Sequence, residues 1–299
     1  MWKLLASLLF CVVSVCELSA KVLKANSATA AEKLPIQSSI IFDCKSKKVL
    51  HANNSKALVY PASLTKMMTA YLAFESLKKG KSKMSDKVLV SHHAANAKPR
   101  KLGLQEGQIV TFKDAILAMI ITSANDAARV IAEKTSGTES KFALAMNQKA
   151  KQLGMHKSHF RNASGWHDPM QKTTAEDLVK LAMALKRDFP EYYHLFSQNS
   201  FTFNDKVYNG HNNVTKNYAG ADGLKTGYVA ASGYNLVTSA KRGGKRLIGV
   251  VIGGRTSKER DQKMISLMDR HFGRMVSVTT AVQQSKSISK AFNSKQTQL

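Results

Sequence analysis

Ser63 and Lys66 stand three residues apart in Pro61-Ala62-Ser63-Leu64-Thr65-Lys66-Met67-Met68. On a helix that spacing stacks the two side chains on one face. A serine hydroxyl is a weak nucleophile at neutral pH and needs an adjacent base. A lysine becomes that base only when desolvation or a neighbouring cation pulls its pKa down. The apolar residues Met67, Met68, Ala70, Leu72, Ala73 and Phe74 would bury such a helix and dry its surroundings. The spacing alone proves little, because Ser76/Lys79 and Ser287/Lys290 repeat it. A capping serine followed by a solvated lysine has the same signature.

Two further stretches carry groups that suit the same chemistry. In Ser123-Ala124-Asn125, the Ser123 hydroxyl could relay a proton between a lysine and a leaving group. Asn125 offers both a donor and an acceptor, enough to hold a peptide-like group and also bond a lysine. The plain alternative is that Ser123 or Asn125 caps the helix starting at Asp126. Lys225-Thr226-Gly227 occurs once, within Gly220-Ala221-Asp222-Gly223-Leu224-Lys225-Thr226-Gly227-Tyr228. A lysine and a threonine hydroxyl could bind a carboxylate, and Gly227 would let a substrate backbone approach closely. The alternative there is a glycine-rich turn with a solvated lysine.

The elements that must position these groups follow from the hydrophobic pattern. Residues 36–42 and 49–52 read as two strands joined by a lysine-rich turn. A helix runs from Ser63 to about Lys78, and residues 88–90 form a short strand. Residues 92–107 are polar and glycine-punctuated, hence a loop. Residues 112–122 have the apolar density of a buried helix, and 127–134, 141–153 and 174–186 are amphipathic helices. Strands return at 234–239 and 246–252, and a helix over 258–272 follows. This order predicts an α+β fold, with the terminal strands and last helix in one lobe and the helical insert beside it. A ligand site is expected in the cleft between them.

The chain has 299 residues and a net charge of +25, enough for one large domain or two small ones. Such charge suits an anionic environment. The cations are spread along the chain, with no zinc-finger spacing or RNA-binding signature, which favours the cell envelope over nucleic acid. Lys3, the apolar run 4–16 and Leu18-Ser19-Ala20 read as an export leader, cleaved near residue 20 or as late as Ala30. The run is short for a membrane span. Cys11 and Cys16 fall inside that leader, leaving Cys44 as a free surface thiol without a disulfide partner.

The three stretches occur in one order, from 63 to 123 to 225, as Ser-x-x-Lys, Ser-x-Asn and Lys-Thr-Gly. In this the chain resembles the low-molecular-mass penicillin-binding proteins, the serine-type D-alanyl-D-alanine carboxypeptidases. The likeness runs over about 36–272 and includes Pro61-Ala62, Thr173-Thr174-Ala175-Glu176-Asp177-Leu178, Asp222-Gly223-Leu224 and Gly233-Tyr234-Asn235-Leu236-Val237. It implies the β-lactamase/transpeptidase-like fold, with an antiparallel sheet from the terminal strands and a helical insert lobe. It also implies roles. Ser63 attacks the carbonyl of the penultimate D-alanine of a peptidoglycan stem peptide and forms an acyl-enzyme. Lys66 is the base, Ser123 passes the proton to the leaving D-alanine, and Asn125 positions substrate and Lys66. Lys225 and Thr226 bind the terminal carboxylate beside Gly227, and the N–H groups of Ser63 and Tyr228 form the oxyanion hole. β-Lactams would acylate the same serine, and neither metal nor another cofactor is implied.

Several expectations refine that reading. A class A β-lactamase needs a glutamate to activate the deacylating water, yet no acidic residue lies between Ser140 and His167, and Glu176 fits the role poorly. A DD-endopeptidase and a non-catalytic wall-binding protein remain as alternatives. Arg255 is a weak candidate for a second carboxylate contact, against a plain surface arginine. His92 and His93 would diverge, and His167 beside Asp168 is structural or solvated. The expected division is a leader over 1–20, a catalytic domain over 31–272 and a tail over 273–299. That tail is polar or weakly amphipathic and could touch a membrane surface.

Overall fold

The structure is a computed structural model that describes residues 37–272. The expected leader and the 273–299 tail lie outside the described residues. β1 (Ser38–Asp43) and β2 (Lys48–Asn53) form the first hairpin. A 3-10 turn over Ala62–Thr65 then runs into helix α1 (Lys66–Lys78). A small hairpin follows, of β3 (Lys87–Leu89) and β4 (Ile109–Thr111). Next comes α2 (Phe112–Leu117), which ends in a π-helical turn over Ala118–Thr122. α3 (Asn125–Ser136), α4 (Glu139–Gln152) and α5 (Ala175–Asp188) complete the helical insert. A third hairpin, β5 (Ser200–Phe203) and β6 (Lys206–Asn209), leads back to the sheet. β7 (Ala221–Val229), β8 (Gly233–Arg242), β9 (Lys245–Gly254) and α6 (Ser257–Phe272) follow.

The main sheet has five antiparallel strands in the order β2-β1-β9-β8-β7. The expected α+β arrangement is therefore present, and β7 is an edge strand. Both faces of the sheet are covered, and side-chain alternation divides the core between them. Ile40, Val250 and Ile252 pack with Leu178 and Leu181 of the helical lobe. Ile41, Leu247 and Val251 pack with Met264, Leu267 and Met268 of α6. Helix α1 is buried on nearly every side, as its apolar sequence requires. Phe74 stacks on Tyr192 at 5.3 Å and meets Phe189 and Phe196 edge-on.

Three expectations are corrected. The alternative of a glycine-rich turn at residues 220–228 is overturned: they are mostly strand, and their glycines serve packing. A Cβ on Gly223 would lie 2.9 Å from the Phe196 side chain, and one on Gly227 would lie 3.1 Å from Ser63 N. Cys44 is not a surface thiol. It is half-buried against the core, its N–H still donates to the Arg246 carbonyl of β9 at 3.0 Å, and burial pushes the thiol up to about 11. The 92–107 loop contains a helical turn over His92–Ala95, capped by Ser91 Oγ.

Candidate active site

Ser63 sits in the 3-10 turn ahead of α1, directly after Ala62 at φ +49°. Gly165 holds that turn from outside: at φ +81° it has no room for a side chain, since a Cβ would collide with the Ala62 carbonyl oxygen. Lys66 opens α1 and is 1% exposed. Its Nζ lies 3.0 Å from Ser63 Oγ, 2.7 Å from Asn125 Oδ1 and 2.5 Å from the Ser164 carbonyl oxygen. Burial, then the nearby Lys225 and Arg100 cations, hold the Lys66 amine well below its ordinary range. A neutral amine keeps two N–H donors and one lone pair. Asn125 and Ser164 take the donors, which leaves the lone pair facing the Ser63 hydroxyl.

Ser123 occupies a left-handed corner, φ +66° and ψ +30°, between the π-helical turn and α3. Its hydroxyl is buried and has no protein partner, and the residue lines the cleft with Ser63. Neither Ser123 nor Asn125 caps α3, whose N-cap is Ala124. Asn125 instead donates through Nδ2 to the carbonyls of Lys98 and Pro99, both at 3.0 Å, so its Oδ1 points at Lys66. The next residue secures that loop. Asp126 is fully buried, and its carboxylate accepts the N–H groups of Leu102, Gly103, Leu104 and Ala127.

The edge strand β7 carries Thr226 into the other wall of the cleft, with Lys225 buried beside it. Lys225 is 2% exposed, and burial plus the Arg100 and Arg260 charges depress its amine to about 7. Thr226 Oγ1 is 3.0 Å from His211 Nε2, and Arg100 Nη1 reaches the same ring nitrogen at 3.0 Å. Burial and the Lys225 charge hold His211 near 3, so it stays neutral. Gly227 rests against the Ser63 turn, and Tyr228 follows at the cleft mouth. Arg255 does not enter. It is exposed and bonds Glu259 at 3.0 Å, whereas Arg260, one helical turn later, is buried and lines the cleft.

These walls enclose a cavity of about 830 Å³. No acidic side chain is among the described residues lining it. Glu176 lies elsewhere, accepting from Ser55 Oγ at 2.9 Å. His92 and His93 diverge to Glu106 and Glu139, each at 2.7 Å. His167 is neither core nor simply solvated: it lines the cleft, with its ring 4.9 Å from that of Tyr60.

The family model for D-alanyl-D-alanine carboxypeptidase, of the S11 peptidases, matches residues 24–256. The chain belongs to this family. It is 36% identical over 245 residues to D-alanyl-D-alanine carboxypeptidase DacF of Bacillus subtilis, covering 79% of this chain and 62% of that protein. It is likewise 36% identical over 263 residues to DacC of Escherichia coli, covering 85% of this chain and 66% of that protein. The chain thus spans less than two thirds of the length of these curated relatives. Among solved structures it is similar to penicillin-binding protein 5 from Haemophilus influenzae, with a TM-score of 0.77 and 34% identity over 80% of this chain and 71% of that one. Penicillin-binding protein D2 from Listeria monocytogenes, solved in a cefotaxime-bound form, gives 0.73 and 29% over 79% and 97%. The β-lactamase/transpeptidase-like fold is that of this carboxypeptidase family.

Sequence reasoning about this S11 chain missed Arg100, Asp126, Ser164, His211 and Arg260. Asp126 left a trace, an acid directly after Ser-x-Asn that helix α3 buries. The others arrive from loops and a helix distant in sequence, and no local spacing marks them.

Proposed function

We propose that this chain is a serine DD-carboxypeptidase that removes the terminal D-alanine from peptidoglycan stem peptides. One observation carries the reading: a lysine amine, depressed by burial and then by neighbouring cations, 3.0 Å from a serine hydroxyl. In this mechanism Lys66 takes the Ser63 proton as Oγ adds to the carbonyl of the penultimate D-alanine. The N–H groups of Ser63 and Tyr228 hold the oxyanion, each contributing about 3 kcal/mol of transition-state stabilisation. The C–N bond then breaks, and Ser123 passes the proton from Lys66 to the departing D-alanine amine. Its unpartnered hydroxyl suits that transfer. Lys225 and Thr226 bind the substrate carboxylate, supported by the Arg100 and Arg260 charges. Water completes the cycle by hydrolysing the acyl-enzyme, with Lys66 again the base, since no carboxylate lines the cleft among the described residues. A β-lactam would acylate Ser63 in the same way and hold the enzyme inactive.

We also propose an exported protein of the bacterial envelope. The leader-like N-terminus and the net charge of +25 support that address. Among the described residues, no helix is long and apolar enough to cross a membrane. The test of function is release of free D-alanine from a peptide ending in D-Ala-D-Ala, with the Ser63→Ala variant alongside. Release that vanishes in the variant is expected. A folded chain that releases none, yet cleaves cross-linked muropeptides, is a DD-endopeptidase. A chain that does neither is a wall-binding protein.

A further inference from the structure

The Ser164 carbonyl, which takes one N–H of the Lys66 amine, belongs to a loop held in place by side chains. Among the described residues, 160–166 make no hydrogen bond to another backbone group. Asn147 of α4 accepts the Phe160 N–H and donates to the Phe160 carbonyl, both at 2.8 Å. Gln171 Oε1 accepts the Arg161 N–H at 2.9 Å. Asn162 Oδ1 accepts the Gly165 N–H at 2.7 Å, on the same peptide unit as the Ser164 carbonyl. A buried loop with no backbone ladder takes its position from such side-chain partners.

Ala163 is where this loop is fixed from two sides. It is fully buried, one residue ahead of Ser164. Its N–H donates to Glu139 Oε1 at 3.0 Å, and its carbonyl accepts from Thr69 Oγ1 of α1 at 2.6 Å. Thr69 follows Lys66 by three residues on that helix. Glu139, the first residue of α4, is itself gripped. Its Oε2 meets His93 Nε2 at 2.7 Å and Arg129 Nε of α3 at 3.2 Å, and its side chain is only 12% exposed. A carboxylate with partners on both oxygens is a fixed post for whatever it holds. The charges that bear most on the Lys66 amine are Lys225, Arg100 and Asp126, so the reach of Glu139 to the base is through the loop. We propose that Glu139, together with Thr69, is a positioning residue for the base: it fastens Ala163, so that the Ser164 carbonyl takes one amine N–H and the Lys66 lone pair stays aimed at Ser63. The step this serves rests on the carboxypeptidase reading above.

The test follows the Lys66 protonation midpoint through its side-chain Cε resonance, together with the pH profile of kcat/KM for D-alanine release. Glu139→Ala leaves the Ala163 N–H without its acceptor and opens the amine to water. The midpoint is then expected to rise toward 10.5, and the acid limb of kcat/KM to rise with it. At neutral pH kcat/KM falls about a hundredfold, the scale of a small misplacement at a reacting pair. Glu139→Gln keeps an oxygen acceptor for the Ala163 N–H and restores most of that loss. An alanine variant that loses stability but keeps the native midpoint and acid limb makes Glu139 a structural residue only and overturns the proposal. So does a glutamine variant as impaired as the alanine one, because the negative charge and not the fastening then matters. Should Glu139→Ala not fold, Thr69→Val decides. It removes the donor to the Ala163 carbonyl while keeping the side-chain shape, and an upward shift of the midpoint supports the proposal, whereas an unmoved one overturns it. If the native protein releases no D-alanine, the carboxypeptidase reading fails, and the midpoints alone still decide whether Glu139 positions Lys66.

Discussion

The inner end of the cleft and its outer rim are built on opposite terms. Lys66, Lys225 and Arg260 are almost wholly buried, and Lys66 and Arg260 each make several polar contacts. Trp166 and Tyr228, each next to a glycine packed on the Ser63 turn, stand about half in solvent. The inner end gathers like charges at close range, which water would screen and which burial makes effective on Lys66. The rim residues Trp166, Tyr228, Val229, Ala230 and Ala231 offer uncharged surface. The chemistry proposed for the inner end depends on desolvation already present in the fold, whereas the rings of the rim remain open to water.

Substitutions can break that contrast, and the largest effect is expected at the base. Lys66→Arg replaces the neutral amine with a permanent cation that has no lone pair to accept the Ser63 proton, so D-alanine release falls about 10³-fold in a steady-state assay. A fall of less than tenfold would show that the buried amine is not the base. Next comes the shell beneath it. Asp126→Ala strips the acceptor from four N–H groups and frees the loop that orients Asn125. A stability loss of about 3 kcal/mol on chemical unfolding is expected, with kcat/KM down about a hundredfold from misplacement of Lys66 and its partners.

Lys225 supplies a smaller, pH-dependent effect. Its amine is depressed to about 7, so it is charged below that pH and neutral above it. Carboxylate binding needs the charged form, and kcat/KM, which reports the free enzyme, is expected to decline as pH rises through about 7. A bound carboxylate raises the same pKa, which moves the limb in kcat upward. Lys225→Arg, charged at every working pH, removes the alkaline limb. A limb that stays in place in this variant belongs to another group. The smallest effect belongs to the rim, where Trp166→Ala is expected to leave thermal stability within a degree or two in a melting experiment, as exposed positions do.

What could be read in advance follows from how local each feature is. The α+β order was legible because strands and helices have their own periods, and the buried run of α1 announced a central helix. Ser63 and Lys66 meet because three residues on one helical stretch must meet, and the structure adds Asn125 and Ser164 from 59 and 98 residues away. β7 was absent from the expected strands because glycine signals turns in sequence, while Gly223 and Gly227 here make room for Phe196 and the Ser63 turn. Arg100, His211 and Arg260 are solitary residues in separate segments, and only folding brings them to Lys225. Arg255 and Arg260 show the same limit on one short stretch. Five residues apart, the first turns to solvent and Glu259 while the second is buried at the cleft.

The most direct test is the protonation of Lys66 itself. Its side-chain Cε resonance, followed by NMR across pH in the unliganded protein and assigned with the Lys66→Arg variant, reports when the amine loses its proton. The predicted midpoint lies well below the ordinary lysine value of 10.5, with the amine neutral where Ser63 must be activated. A midpoint at the ordinary value, with the proton retained throughout the neutral range, would contradict a base prepared by burial and neighbouring charge.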